Sequence, residues 1–312
     1  MITDIVFVST PLHFAADSGS EALVRLLIER GANVSATTRS TFALWHDANL
    51  YAGSTPLHCA ALNGYDVMAR LLIENGVEVS AANIIGQTPL HFVVGEGHEA
   101  VSKLLIANGH DALALLIIQN GADVSPGDNV MFTPLHYAAY AGHEAVSELL
   151  ISNGANISAT TIGSRTISRQ TFHPGLTPLH CAAIRGCKAV ARLLIEQGAN
   201  VAATDMMGST PLHLAAMRGH VAVAWLIIEK GADLPTTDTK GLTPLHCAAM
   251  TGHEAVAQLI IEQGANVAAK DQEGLTLLCY AKRNRHKVLA QRLRDKLTSR
   301  RSARLAEHAT TG

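Results

Sequence analysis

The chain has 312 residues, 48% of them hydrophobic and only 16% charged, which is too apolar for a disordered chain and enough for a sizeable core. Its longest unbroken apolar run, Val221 to Ile228, falls well short of the roughly 18 residues that a spanning helix needs, so a transmembrane helix is excluded. The net charge of −2 hides an asymmetry: residues 282–312 hold 10 Lys and Arg against 2 Asp and Glu, leaving residues 1–281 with 14 against 24, and so acidic a body excludes a nucleic-acid groove along it.

Met1 to Ser9 carries Asp4 in place of a basic start and has no small-residue cleavage pattern, so it does not read as a secretory leader. Cytosol or nucleus is the expected compartment. Five cysteines, an odd number, fit free thiols better than a disulfide framework. From Thr10 onward the chain repeats itself. Thr-Pro-Leu-His begins at Thr10, Thr55, Thr88, Thr133, Thr177, Thr210 and Thr243, followed by a degenerate copy, Thr276-Leu277-Leu278-Cys279. Successive copies lie 45, 33, 45, 44, 33, 33 and 33 residues apart.

Each copy predicts a helix start. Thr is a good N-cap, Pro suits the first helical position because its missing N–H is not needed there, and His falls at the third position, within reach of the cap. The helix runs to a Gly such as Gly142 or Gly219. A second helix follows, with apolar residues at helical spacing as at Val146, Leu149 and Leu150, and a further Gly such as Gly154 or Gly231 stops it. The residues between this Gly and the next Thr are rich in Ala, Asn, Asp, Gly and Thr and read as an extended turn or hairpin. No copy has an apolar face it can bury alone, and paired alanines such as Ala138-Ala139 and Ala248-Ala249 allow close approach, so the copies must stack.

The repeat units start near residues 5, 50, 83, 128, 172, 205, 238 and 271. Insertions near 39–50 and 162–172 both follow Ser-Ala-Thr-Thr, at Ser35 and Ser158, and the first holds Phe42 and Trp45 with Tyr51 beside it. They read either as disordered surface insertions or gene-model artefacts, or as contact loops. A third insertion, near 109–120, is a tandem copy of the second helix of its unit. A continuous helix would turn the second apolar stripe about 120° off the packed face, so a break is expected near Gly109, and either copy fits the slot. At the C-terminal end Lys282 replaces the second small Ala, Arg285 replaces the inter-helix Gly, and the last helix is polar around Leu289, Leu293 and Leu297. Residues 1–281 therefore read as the stack and 282–312 as a capping helix with a basic tail. The first unit keeps the internal pattern Leu23, Leu26, Leu27 and Ile28, so the stack is expected to begin uncapped, as in a fragment of a longer chain or at a covered end.

Seven Thr-Pro-Leu-His copies, with Gly-His and Gly-Ala-Asn or Gly-Ala-Asp at matching offsets, resemble the ankyrin repeat family over nearly the whole chain. The resemblance implies an all-α repeat solenoid: helix-turn-helix units with projecting β-hairpins or extended turns, whose tips and first helices line a concave face. It implies a non-enzymatic module that binds a protein partner on that face, with no catalytic residues, cofactor, metal or small-molecule substrate. On this plan the partner-binding positions are Trp45 in the first insertion, Ile84, Ile85, Met131, Met206 and Met207 at hairpin tips, and Tyr140, Ile184, Arg185, Met217, Arg218 and Met250 at first-helix ends. Several are apolar where exposure is expected, which suits an interface. Two other readings stand beside this one: the targeting or regulatory portion of a longer enzyme or signalling protein, or nucleic-acid or anionic-membrane contact through the basic tail.

The 16 histidines raise a metal reading, but seven lie in Thr-Pro-Leu-His and five (His98, His110, His143, His220, His253) follow the inter-helix Gly. Regular stacking spaces such residues one per unit, where a metal needs them converged. Cys59, Cys181 and Cys247 share one repeat position directly after the His and read as small apolar residues rather than three copies of a nucleophile. Gly95-Glu-Gly97-His-Glu-Ala100 matches a dinucleotide fingerprint in letters only, since it follows a helix instead of a strand.

Overall fold

The computed structural model describes residues 9–39, 42–43, 49–50, 52–94, 109–167 and 170–310. The chain divides into two compact units, Met1–Ala159 and Thr160–Gly312. In the first, helices come in pairs: α1 (Pro11–Ser18) with α2 (Glu21–Glu29), α3 (Pro56–Asn63) with α4 (Asp66–Glu74), α5 (Pro89–Val94) with α6 (Gly109–Gln119), and α7 (Pro134–Ala141) with α8 (Glu144–Ser152). The second holds α9 (Pro178–Arg185) with α10 (Lys188–Glu196), α11 (Pro211–Arg218) with α12 (Val221–Glu229), α13 (Pro244–Thr251) with α14 (Glu254–Glu262), and α15 (Leu277–Arg283) with α16 (Lys287–Thr310). In each unit the first helices pack in one row, α1–α3–α5–α7 and α9–α11–α13–α15, and second helices form a parallel layer behind them. This is an α-helical repeat architecture.

The first helices start where the sequence places their caps. In α1, α3, α7, α9, α11 and α13 the Thr side chain and the third-position His form a reciprocal capping box behind an N-terminal Pro. The helix ends at a left-handed Gly, as at Gly186 with φ 75°. A side chain there would be strained and would also collide: a Cβ on Gly186 would lie 2.5 Å from the His220 ring of the next copy. The paired alanines of the first helices, such as Ala60-Ala61 and Ala248-Ala249, are fully buried, as are Leu57, Leu72, Leu113, Ile117 and Leu150 in the first unit and Leu194, Leu212, Ile227 and Ile260 in the second. Burying each such Leu or Ile contributes about 1.5–3 kcal/mol, and it is available only because a neighbouring copy covers it.

The second copy of the tandem helix takes a packed position in the stack. Helix α6 begins at Gly109 and packs on α4, α5 and α8, with Leu113, Ala114, Leu116, Ile117 and Ile118 buried. Residues 97–108 lie outside the described residues.

The two other insertions leave the bases of their hairpins intact. Thr38 donates its N–H to the Ser54 carbonyl (2.9 Å) and accepts from Gly53 N–H (2.8 Å), while Thr161 does the same with Leu176 (3.1 Å) and Gly175 (2.7 Å). Beyond these bases each carries a short antiparallel ribbon. In the first unit β1 (Phe42–Ala43) pairs with β2 (Asn49–Leu50). In the second β3 (Arg165–Ile167) pairs with β4 (Gln170–Phe172), aligning Arg165 with Phe172 and Ile167 with Gln170.

Candidate functional site

A peptide hairpin that projects from a stack has few neighbours, so its tip must organise itself. In the tight tips an Asp or Asn at the same repeat position does this. The Asp205 carboxylate accepts from the N–H of Met207 (2.9 Å) and of Ser209 (2.8 Å), and Asn83, Asp128, Asp238 and Asp271 repeat the pattern. Successive tips are then tied to each other by backbone bonds. In the first unit Ile84 N–H donates to the Ala52 carbonyl and Asn129 N–H to that of Ile85, both at 2.9 Å. In the second unit Met206 N–H donates to Pro174 (2.9 Å), Thr239 N–H to Met207 (2.9 Å) and Gln272 N–H to Lys240 (3.2 Å). Glycine is required beneath this ladder because the next strand passes so close: a Cβ on Gly175 would sit 2.7 Å from the Met206 nitrogen. The result in each unit is a ledge of tips held in fixed register.

Apolar side chains stand on these ledges. Ile84 is 62% exposed, Met206 69% and Met131 43%, while Ile85 and Met207 are half-buried. Met131 also adopts a left-handed φ of 60°, rare for a side chain of its size. At first-helix ends Arg185 and Arg218 are exposed, and Met217 and Met250 are half-buried. Both arginines are close enough to His220 to lower its pKa, although burial is the larger cause.

Two positions expected on the exposed face are not there. Tyr140 is 8% exposed and Ile184 only 6%, because the residue after the Ala pair still lies on the packed side of α7 and α9. Trp45 lies outside the described residues. Among the described residues, two exposed aromatics lie away from the tips and outside the expected set: Phe14, 44% exposed on α1, and Trp225, 43% exposed on α12, which has the Lys188 ammonium 5.7 Å from its ring centroid. The repeat position of Trp225 is Arg192 in α10 and Gln258 in α14, so its departure from the register marks it in the sequence. Ile162, 67% exposed at the start of the second-unit insertion, is a further apolar side chain beyond the expected set.

The histidines of the repeat are engaged as structure. His58 Nδ1 accepts from the Thr55 N–H at 3.0 Å, and its Nε2 lies 3.1 Å from the Gln87 carbonyl at the foot of the next copy. A backbone N–H can only donate, so Nδ1 carries no proton and Nε2 donates to the carbonyl. His13, His91, His180 and His213 repeat the bridge to Ser54, Phe132, Ser209 and Leu242. Each of these rings thereby caps its own helix and stitches it to the following copy. Burial pushes His58 down to about 4 against the opposing hydrogen bond to Gln87, and His13, His213 and His246 are lowered for the same reason. His220 belongs to the second class, donating from Nε2 to the last-turn carbonyl of Ile184 at 3.0 Å. Burial likewise drives the Cys59 and Cys181 thiols upward and that of Cys247 up to about 12, so none is a thiolate near neutral pH.

The comparisons agree with this framework. A family model described as Ankyrin repeats (3 copies) matches residues 38–114, 82–161 and 164–238, and one described as Ankyrin repeat matches residues 9–39 and 240–272. No curated protein matches the chain.

Proposed function

The chain belongs to the ankyrin repeat family, whose members are generally protein–protein interaction modules and typically non-enzymatic, and on that premise we propose that it binds a protein partner along its hairpin ledges. The observation that carries this reading is the run of exposed apolar tips, Ile84 and Met131 in the first unit and Met206 in the second, on backbones already locked in register. A rigid platform loses little conformational freedom on binding, so its apolar contacts are not spent on ordering loops. Methionine adapts to an irregular partner surface and arginine contributes disproportionately to interfaces, which suits Met206, Met217 and Met250 with Arg185 and Arg218. The partner this composition fits has an apolar surface edged with carboxylates.

The role we assign is non-catalytic and without a cofactor. No helix among the described residues is long and apolar enough to cross a membrane. An odd count of five cysteines fits free thiols better than a disulfide framework, and with it a reducing compartment, cytoplasm or nucleus.

The test is affinity capture with the full chain, followed by titration of the captured protein against Met206→Asp and Ile84→Asp. Both should leave the melting temperature within a few degrees of the parent, because the side chains are exposed, and weaken binding by about 1–3 kcal/mol if they are anchors. Trp225→Asp, on the opposite layer, should leave binding intact. Loss of binding only in the Trp225 variant would move the interface to the second helices.

A further inference from the structure

The repeat breaks its own rules at one place in the second unit. Lys282 occupies the register of Ala216 and Ala249, both fully buried, and Arg285 that of the left-handed Gly219 and Gly252. Arg285 keeps the glycine conformation, with φ 64°, and is one of only two non-glycine residues at positive φ among the described residues. A long cationic side chain is thus held in a backbone geometry that favours glycine. Helix α16 begins two residues later, and Lys287 and Arg294 lie seven apart on one of its faces, with Ala290 between them. Together with Ala281 these residues line a cavity of about 330 Å³ in the notch between α15 and α16, near the lower size limit of small-molecule pockets.

The notch gathers positive charge without neutralising it. Among the described residues none of the four cations has an ion-pair partner. The nearest carboxylate in sequence, Asp295, accepts from Gln291 Nε2 at 2.8 Å and is not part of the lining. The positive end of the α16 dipole adds to the same field, since the helix starts at Lys287. Two arginine forks and two ammonium groups around one compact hollow match the charge and tetrahedral oxygen set of a dianion. We propose that this notch binds a phosphomonoester, presented either by a soluble metabolite or by a lipid headgroup. A nucleic-acid backbone fits less well, because its diesters are monoanionic and call for cations spaced along an open track.

The repeat itself supplies the test. Lys282→Ala and Arg285→Gly restore the residues of the internal copies, so the double variant should fold at least as stably as the parent. Inorganic phosphate, titrated calorimetrically into the full chain at fixed ionic strength, should bind the parent and bind the double variant at least about tenfold more weakly. Arg285→Lys should keep part of the affinity, and the control Lys230→Ala with Lys240→Ala, which removes as many charges from exposed positions remote in sequence, should retain it. In a parallel arm, sedimentation with phosphatidic acid vesicles, competed by inorganic phosphate and absent with phosphatidylcholine vesicles, assigns the headgroup source. Phosphate binding without vesicle association assigns the soluble one. Equal affinity in parent and double variant, no phosphate binding by the parent, equal loss in the Lys230 and Lys240 control, or preference for duplex DNA over phosphate would each overturn the proposal.

Discussion

At the residue scale, the third-position histidines His13, His58, His91, His180 and His213 each do two jobs with one neutral ring. Its Nδ1 must stay unprotonated to accept the Thr N–H, and its Nε2 proton joins the next copy. Because the His58 pKa falls from 6.5 to about 4 on folding, the folded state binds fewer protons than the unfolded chain across that interval. This stabilisation is complete above pH 6.5 and is lost as pH falls toward 4, by about 3 kcal/mol for this one ring. Urea denaturation should therefore show the parent losing about 2 kcal/mol more than His58→Gln between pH 7 and pH 5. Parallel losses would mean that the ring is not held neutral. Tyr140 provides the complementary case: since it is buried, Tyr140→Ala should cost about 2–4 kcal/mol of stability, seen as an early thermal transition, and affect partner binding only through that loss. A variant melting like the parent would return Tyr140 to the surface.

At the element scale, what the sequence makes legible are the features set by local chemistry. Helix starts follow from Thr, Pro and His, helix ends from Gly, and the stacked rows from the Ala pairs, all within a few residues of each cause. The burial of Tyr140 and Ile184 was not legible, because the packed arc of a short helix is wider than its alanine pair and only neighbouring elements define its edge. The tandem helix was ambiguous for a similar reason: both copies carry the same stripe, and only the tertiary contacts show Gly109–Gln119 packed in the stack. The tight and inserted hairpins differ at one residue. Tight tips begin with Asp or Asn, whose side chain accepts two backbone N–H groups, whereas the inserted ones begin with Thr38 or Thr161, whose hydroxyl accepts from the Ser54 or Leu176 N–H. Excising residues 162–172 together with Thr161→Asp leaves Asp-His173-Pro174-Gly175-Leu176-Thr177, the register of Asp205-Met206-Met207-Gly208-Ser209-Thr210. The shortened chain should keep its helical circular dichroism and lie within about 1 kcal/mol of the parent by urea unfolding. Loss of helicity would show that the ribbon β3–β4 supports the stack.

At the scale of the whole molecule, each unit presents two unlike surfaces: a ledge of backbone-tied tips with exposed Ile or Met, and a layer of second helices, which in the second unit carries the exposed Trp225. The central claim is that the partner sits on the ledges. Oxidative footprinting reads this directly, because methionine and tryptophan side chains report their own solvent exposure through oxidation. In the free chain Met131, Met206 and Trp225 should oxidise readily, and Met68, at 4% exposure, should not. With the captured partner bound, the account predicts protection of Met206 and Met131 and unchanged oxidation of Trp225. Protection of Trp225 with undiminished oxidation of both methionines would contradict it.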